Sequence, residues 1–101
     1  MPSASKRKGN NFELEIVKEL QANGFESERA WGSDGRSFGN NYASDVDVRA
    51  VKDGKEYRIQ AKRRKSSPQW LHFGTCDLVV FRADREDTIV FMKLKDWLNE
   101  R

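Results

Sequence analysis

Asp47, Gln60 and Lys62 are the residues in this chain whose types and spacing could do chemistry. Mg²⁺ takes oxygen ligands at about 2.1 Å, and a carboxylate with an amide carbonyl oxygen could supply two of them, with water as the remainder. An ammonium group beside such a site can hold or deprotonate the attacking water, or neutralise charge that builds on a phosphate. The three residues therefore predict metal-assisted hydrolysis of a phosphate ester.

The strands that must position these residues are predicted over Asp45–Val51 and Lys55–Arg63. Between them, Asp53-Gly54 is a favoured two-residue hairpin turn. A turn of this length fixes the register of the hairpin by placing Lys52 opposite Lys55.

This register divides the hairpin into a polar and an apolar face. On the polar face, Asp47 lies opposite Gln60 and Asp45 opposite Lys62. Asp47 is therefore the predicted main metal ligand, and Asp45 is a secondary ligand or the partner of Lys62. An ordinary solvated face with an Asp45–Lys62 ion pair is the alternative. The apolar face, predicted to pack on the core, pairs Ala50 with Tyr57, Val48 with Ile59 and Val46 with Ala61.

A further carboxylate comes from a helix predicted to run from Asn10 or Asn11 to about Gln21, with Asn23-Gly24 as its stop. At roughly 100° per residue, Glu13 falls inside the apolar stripe of this helix. Burial of an unpartnered carboxylate is costly, so Glu13 needs a metal, a cation or a hydrogen-bond network. We predict that it joins the site. The apolar stripe consists of Phe12, Ile16, Val17 and Leu20.

The remaining segments predict an α/β fold with a mixed, mainly antiparallel sheet, an N-terminal helix and a short C-terminal helix. Residues 1–8 are predicted to be a flexible basic arm, and residues 9–101 a single domain. The loop from Gly32 to Ser44 is either a flexible linker or a substrate-contacting loop. Further predicted elements are strands over Phe25–Trp31, Asp77–Phe81 and Thr88–Leu94, a short helical turn over Pro68–Phe73, and the final helix from Lys95.

The charge pattern indicates a polyanionic partner. The chain has 101 residues, a net charge of +3 and a pI near 9.2, and the excess of positive charge is local. Lysine and arginine are concentrated in Lys6-Arg7-Lys8 and in Lys62-Arg63-Arg64-Lys65. Clusters of this kind are typical of phosphate binding, although a solvated surface is the alternative. A domain this small also favours association into a homodimer. The predicted DNA-binding residues are Lys6, Arg7, Lys8, Arg36, Arg63, Arg64 and Lys65.

Other features argue against a disulfide-bonded protein, a histidine-based enzyme and a membrane protein. Cys76 is the only cysteine, so an intrachain disulfide is impossible, and it is predicted to be a small buried hydrophobe. His72 is predicted to be a surface or interface residue and not a general base. No apolar stretch is long enough to span a membrane, and the N-terminus lacks a signal-peptide pattern. We expect a cytoplasmic protein, or one of the host cytoplasm if it is phage-encoded, without a small-molecule cofactor.

Taken in order, these motifs resemble the PD-(D/E)XK nuclease superfamily, and within it the archaeal-type Holliday junction resolvases. Glu13 corresponds to the active-site Glu of the family's first helix, and Asp47 with Gln60-Ala61-Lys62 to its acidic residue and Glu-X-Lys motif. Gly32-Ser33 resembles the loop in which the family places a serine important for cleavage, which implies a role for Ser33. The resemblance also includes Arg7-Lys8-Gly9 and Asn23-Gly24-Phe25.

The resemblance implies a restriction-endonuclease-like core, a Mg²⁺ ion that Mn²⁺ can replace, a four-way DNA junction as substrate, and a homodimer in which each subunit cuts one strand. Three features depart from the family pattern: Gln60 replaces a Glu, the Gly32–Ser44 loop is longer, and the segment after Lys65 is short. The candidates for the dimer contact, or alternatively for the core, are Trp70, Leu71, Phe73, Trp97 and Leu98.

Two other functions fit the same residues. One is a sequence-specific or nicking endonuclease of the same superfamily, because the long loop could read bases. The other is a DNA-binding module that has lost metal chemistry, which the amide at Gln60 favours. Dependence of cleavage on Mg²⁺ and on a branched substrate would distinguish the three.

Overall fold

The first element is a long helix, α1, which spans Ala4–Ala22 in the computed structural model. The structure describes residues 4–64, 72–93, 95, 96 and 99, without the side chains of residues 4–6 and 33. The apolar stripe of α1 is buried as predicted, at Phe12, Ile16 and Val17. The helix stops at Gly24, whose φ of 88° is left-handed, and the Phe25 N–H donates to Leu20 O across that stop.

The predicted start of this helix is wrong. It begins at Ala4, not at Asn10 or Asn11, so the described part of the predicted arm, from Ala4 to Lys8, is helical. Alanine, lysine and arginine in this segment have high helix propensities. Lys8 also makes a tertiary contact, with its Nζ 2.8 Å from Asp84 Oδ1. Residues 1–3 lie outside the described part of the chain.

Five strands form one sheet in the order β1-β2-β3-β4-β5. The β3–β4 pair is parallel, and the other three pairs are antiparallel. This confirms the predicted α/β fold with a mixed, mainly antiparallel sheet. The predicted helical turn at residues 68–73 and the final helix fall largely outside the described residues. The strands are β1 (Glu26–Arg29), β2 (Val48–Lys52), β3 (Lys55–Arg64), β4 (Leu78–Ala83) and β5 (Ile89–Met92).

The β2–β3 hairpin has the predicted register from Lys52 opposite Lys55 to Val48 opposite Ile59. Asp53 and Gly54 both have positive φ, 53° and 78°, as a tight turn that matches the strand twist requires. The apolar face of the hairpin packs on α1, so one core joins the helix stripe to the sheet. Its buried members are Phe12, Ile16, Val17, Val48, Ala50, Ile59 and Val80.

The register does not continue to Asp45, and this part of the prediction is wrong. Strand pairing ends at Val48–Ile59, and the Asp45 carboxylate accepts from Thr75 N at 2.8 Å and from Thr75 Oγ1 at 2.5 Å. Gly74 permits this contact, since a Cβ there would lie 2.0 Å from Asp45 Oδ2. Asp45 therefore anchors the turn that leads into β4 and is not paired with Lys62.

The Gly32–Ser44 loop is packed on the hairpin, which argues against the flexible linker that was one of its two predicted forms. It contains two short 3-10 turns, Trp31–Ser33 and Gly35–Phe38. The Tyr42 hydroxyl donates to Glu56 Oε2 at 2.7 Å, and the Arg58 guanidinium lies 4.2 Å from the centre of the Tyr42 ring. In the described part of the chain, α1 is too polar to cross a membrane and no other helix is long enough.

Gly35→Ala should lower the free energy of unfolding by about 1–3 kcal/mol, which urea denaturation would measure. Gly35 is buried, and a Cβ there would lie 2.1 Å from Ala43 O and 2.6 Å from Val46 Cβ. Gly9→Ala is the matched control: it lies in α1 with no atom within 4 Å of the new Cβ, and should raise stability by about 0.5–1 kcal/mol. Unchanged stability of Gly35→Ala would contradict the packed loop.

Candidate active site

Asp47 lies immediately before β2, and the main chain of β3 positions its carboxylate. Its Oδ2 accepts from the Ala61 N–H at 2.9 Å, and its own N–H donates to Ile59 O at 3.0 Å. Burial raises the pKa of the Asp47 carboxyl from 3.8 to about 6, against the opposing effects of the Ala61 N–H and the Lys62 ammonium, and the Asp45 carboxylate adds to the rise. A carboxylate held in this way is stabilised by a further positive charge.

Gln60 offers a second oxygen at this position. Its Oε1 is buried and makes no hydrogen bond with any residue that the structure describes. A buried acceptor without a partner costs about 1–3 kcal/mol, which a cation or a proton donor would offset. Gln60 directly precedes Ala61, whose N–H holds Asp47. Asp47 is thus held at the residue next to Gln60, although the strand pairing itself ends at Val48–Ile59.

Lys62 follows Gln60 by two positions on β3, so both side chains leave the same face of the strand. The positive charge of Lys62 also acts on Asp47, because it opposes the rise in the pKa of that carboxyl. The bond from the Ala61 N–H holds the Asp47 carboxylate on β3 at the residue between Gln60 and Lys62. That the three side chains form one site stays a prediction.

Glu13 is buried on the sheet-facing side of α1, with 6% of its surface exposed. Its Oε1 lies 3.7 Å from Arg29 Nε, and Arg29 Nη1 donates to Asn10 O at 3.2 Å. The predicted need of Glu13 for a cation is therefore met in part by Arg29, which the sequence analysis missed. Arg29 is opposite the buried Val48 in the pairing of β1 with β2, so it points toward the helix side of the sheet. The sequence patterns did not predict that pairing.

The described residues contain no group of three or more His, Cys, Asp or Glu side chains that could hold a metal ion. Glu13, Asp45 and Asp47 consequently do not form a carboxylate cluster, and Asp45 is occupied by Thr75. The fit to a metal rests on the Asp47 carboxylate and the Gln60 amide oxygen. Ser33 lies in the turn after β1, and its side chain is outside the described part of the structure.

Two of the predicted DNA-binding residues that are far apart in the sequence, Lys8 and Arg63, meet at Asp84. Lys8 Nζ and Arg63 Nη1 both contact Asp84 Oδ1, and the Asp84 N–H donates to Arg64 O. Hydrogen bonds from Lys8 and Arg63 hold the pKa of the Asp84 carboxyl below its ordinary value. Arg7 and Arg64 are exposed, whereas Lys65 and the Lys6 side chain lie outside the described residues.

Arg36, His72 and Cys76 are the remaining residues that the sequence analysis considered. Arg36 is exposed on the loop and is bound to Asp34, with Nη2 2.6 Å from Oδ2. His72 is exposed, as predicted for a surface residue. Cys76 is buried with its Sγ 3.6 Å from Asp45 O, and burial raises the pKa of its thiol to about 12. The thiol therefore stays protonated and behaves as the predicted small hydrophobe.

The fold is similar to that of a solved nuclease. The 1.6 Å resolution structure of Archaeoglobus fulgidus Hjc, a Holliday junction resolvase from an archaeal hyperthermophile, matches with a TM-score of 0.61. The match covers 81% of this chain and 73% of the archaeal chain at 21% identity, so it establishes the shared fold. No curated protein sequence matches the chain.

The helix, the mixed sheet, and Asp47 with Gln60-Ala61-Lys62 at one point of it define a domain of the PD-(D/E)XK class. Within that class the assignment is specific. The model of the archaeal Holliday junction resolvase (Hjc) family matches residues 4–96, which is nearly the whole chain. The chain therefore belongs to the archaeal Holliday junction resolvase family.

Proposed function

We propose that this chain is a divalent-metal-dependent endodeoxyribonuclease that cuts four-way DNA junctions. Membership of the family supports the substrate. The observation that carries the metal dependence is the buried Gln60 Oε1, which has no hydrogen-bond partner among the described residues and lies one residue from the N–H that holds Asp47. Two fixed oxygen ligands, one of them charged, suit a hard divalent cation.

Asp47 and Gln60 are the proposed ligands, and Mg²⁺ is the proposed ion, with Mn²⁺ as a substitute, because both ions accept carboxylate and carbonyl oxygens. When bound, such an ion supplies Lewis acidity at the phosphate and makes a nucleophile available at neutral pH. Asp45 is left out of the proposed ligand set, since both of its oxygens bind Thr75.

The other proposed roles belong to side chains around this pair. Lys62 neutralises charge on the phosphate oxygens or orients the attacking water, for which its place on the same face of β3 as Gln60 is suitable. Glu13 is the proposed catalytic carboxylate from α1 on the strength of the family resemblance, and Arg29 is the residue that positions it. In the described structure it does not cluster with Asp45 and Asp47. Ser33 stays a proposed catalytic residue on the strength of the family resemblance alone.

DNA binding is proposed to involve the basic residues that meet at Asp84, together with Arg36 on the loop. Lys8 and Arg63 converge on Asp84 from two elements, and Arg64 is next to Arg63 on β3, so the three could contact one stretch of phosphate backbone. We further propose a homodimer that acts in the cytoplasm, or in the host cytoplasm if phage-encoded. Symmetric cleavage of a four-way junction requires two active sites, and Ile89 and Val90 on the edge strand β5 are exposed apolar residues available for the contact.

A DNA-binding module without cleavage is the second candidate. The observation that favours it is the absence, among the described residues, of a cluster of three acidic, histidine or cysteine side chains suited to a metal. Gln60 has removed one carboxylate from the position where the superfamily motif has an acid.

The two candidate functions predict different products from a labelled four-way junction. Incubated with the junction and Mg²⁺, the protein should produce paired nicks, leave a linear duplex of the same arm sequence intact, and lose activity in EDTA until Mg²⁺ is restored in excess. Salt-sensitive binding without cleavage under every condition would establish the binding module instead. Cleavage of the linear duplex at a defined sequence would establish a sequence-specific endonuclease.

A further inference from the structure

Trp31 is the most exposed large hydrophobic residue in the described part of the chain, with 85% of its surface accessible. It is the first residue of the turn that follows β1. The residue before it, Ala30, donates its N–H to Asp47 O at 2.8 Å. The exposed indole ring of Trp31 is therefore one residue away in the chain from Ala30, which is bonded to Asp47, the main proposed metal ligand.

The turn that carries Trp31 is fixed at several points. The Trp31 N–H donates to Ser37 Oγ at 2.9 Å, and Trp31 O accepts from the Asp34 N–H at 3.2 Å. Gly35 anchors the same segment by fitting against Ala43 and Val46. The exposure of the ring is thus a property of a packed turn beside the site, because the backbone on both sides of Trp31 is bonded to the domain.

A large aromatic ring exposed on a fixed turn is suited to bind a flat apolar partner. Nucleobases are such partners, and stacking on an aromatic side chain does not depend on their sequence. In a continuous duplex both faces of each base are covered by neighbouring bases. At a branch point the stack is interrupted, so a base face is available there.

We propose that Trp31 stacks on a base at the branch point and thereby favours branched over linear DNA. This role rests on the proposed junction-cleaving function and deepens it. A protein contact is the competing use of an exposed indole. Trp31 follows Ala30, which is bonded to the Asp47 main chain, and lies on the same loop as the exposed Arg36, and this position favours a nucleic acid.

The test compares Trp31→Ala, Trp31→Phe and the control Leu14→Ala, which removes another exposed apolar side chain, 44% accessible, from α1. Dissociation constants are measured in EDTA for a four-way junction and for a linear duplex, with 2-aminopurine at the branch point as a reporter of stacking. Trp31→Ala should weaken junction binding about 5- to 100-fold and abolish the 2-aminopurine response. Duplex affinity should stay unchanged, and Trp31→Phe and Leu14→Ala should resemble the wild type.

Each other outcome overturns a specific claim. Wild-type junction affinity in Trp31→Ala, or equal losses for junction and duplex, would overturn the stacking role while leaving the proposed cleavage intact. A change in the molecular mass of Trp31→Ala in solution would overturn it in favour of a contact between copies of the chain. If the wild-type protein neither binds nor cuts the junction, the proposed function itself fails.

Discussion

Asp47→Asn should abolish junction cleavage, with a loss of about 10³-fold or more, and at the same time make the metal-free protein more stable. The activity falls because the charged ligand is lost, and about 4 kcal/mol of transition-state stabilisation corresponds to that factor. The stability rises because the ionised carboxylate is buried, as its pKa of about 6 indicates. The amide oxygen of Asn can still accept from the Ala61 N–H, so the geometry is retained.

The gain in stability has a defined pH dependence. A carboxyl with a pKa of about 6 in the folded protein and 3.8 in the unfolded chain destabilises the fold most above pH 6. The advantage of Asp47→Asn should therefore be about 1–3 kcal/mol above that pH, decline as the pH falls from 6 toward 3.8, and vanish below it. Denaturation in EDTA at several pH values measures it.

Asp87→Asn is the matched control, since it makes the same chemical change at an exposed position between β4 and β5. It should leave both cleavage and stability at wild-type values. Cleavage by Asp47→Asn at the wild-type rate would show that Asp47 is not an active-site residue. A stability gain that persists below pH 3.8 would mean that it does not come from the buried charge.

Gln60→Glu should lower the Mg²⁺ concentration needed for half-maximal cleavage by about 10-fold or more. A unit charge about 4 Å from a divalent ion contributes about 2 kcal/mol even in a medium as polarisable as water, and each 1.4 kcal/mol is a factor of ten. Without metal, a second carboxylate beside Asp47 should make the protein less stable than the wild type. The stabilisation by added Mg²⁺, measured as a shift in Tm, should be correspondingly larger.

Gln60→Met supplies the opposite change, because it keeps the approximate length of the side chain and removes its carbonyl oxygen. It should raise the Mg²⁺ requirement without loss of stability, since the buried oxygen that it replaces has no partner among the described residues. The three proteins should therefore rank Glu, Gln, Met in increasing Mg²⁺ requirement. An identical requirement for all three would show that residue 60 does not contact the ion.

The features that sequence reasoning predicted correctly depend on neighbours in the chain. The Asp53-Gly54 turn fixes the hairpin register, and the spacing of Phe12, Ile16 and Val17 identifies the buried side of α1. From these two patterns the packing of α1 on the apolar face of the hairpin follows.

The features that were missed depend on contacts between distant segments. Nothing near Asp45 in the sequence indicates that Thr75 will bind it, and nothing near Lys8 indicates Asp84. Where such a contact competes with a local pattern, as at the end of the hairpin and at the start of α1, the local prediction fails. The contact of Arg29 was missed for the same reason, because its partner Glu13 comes from another element.

The bond from the Ala61 N–H to Asp47 has a consequence for how this domain can vary between relatives. The main-chain position of Ala61 depends on the hairpin register, which in turn depends on the length of the turn at Asp53-Gly54. An insertion in that turn would shift β3 relative to β2 and move the Ala61 N–H away from the Asp47 carboxylate. The Gly32–Ser44 loop, in contrast, joins β1 to β2 outside the ladder. Differences in chain length among functional relatives should therefore accumulate in that loop, while the hairpin turn keeps its length.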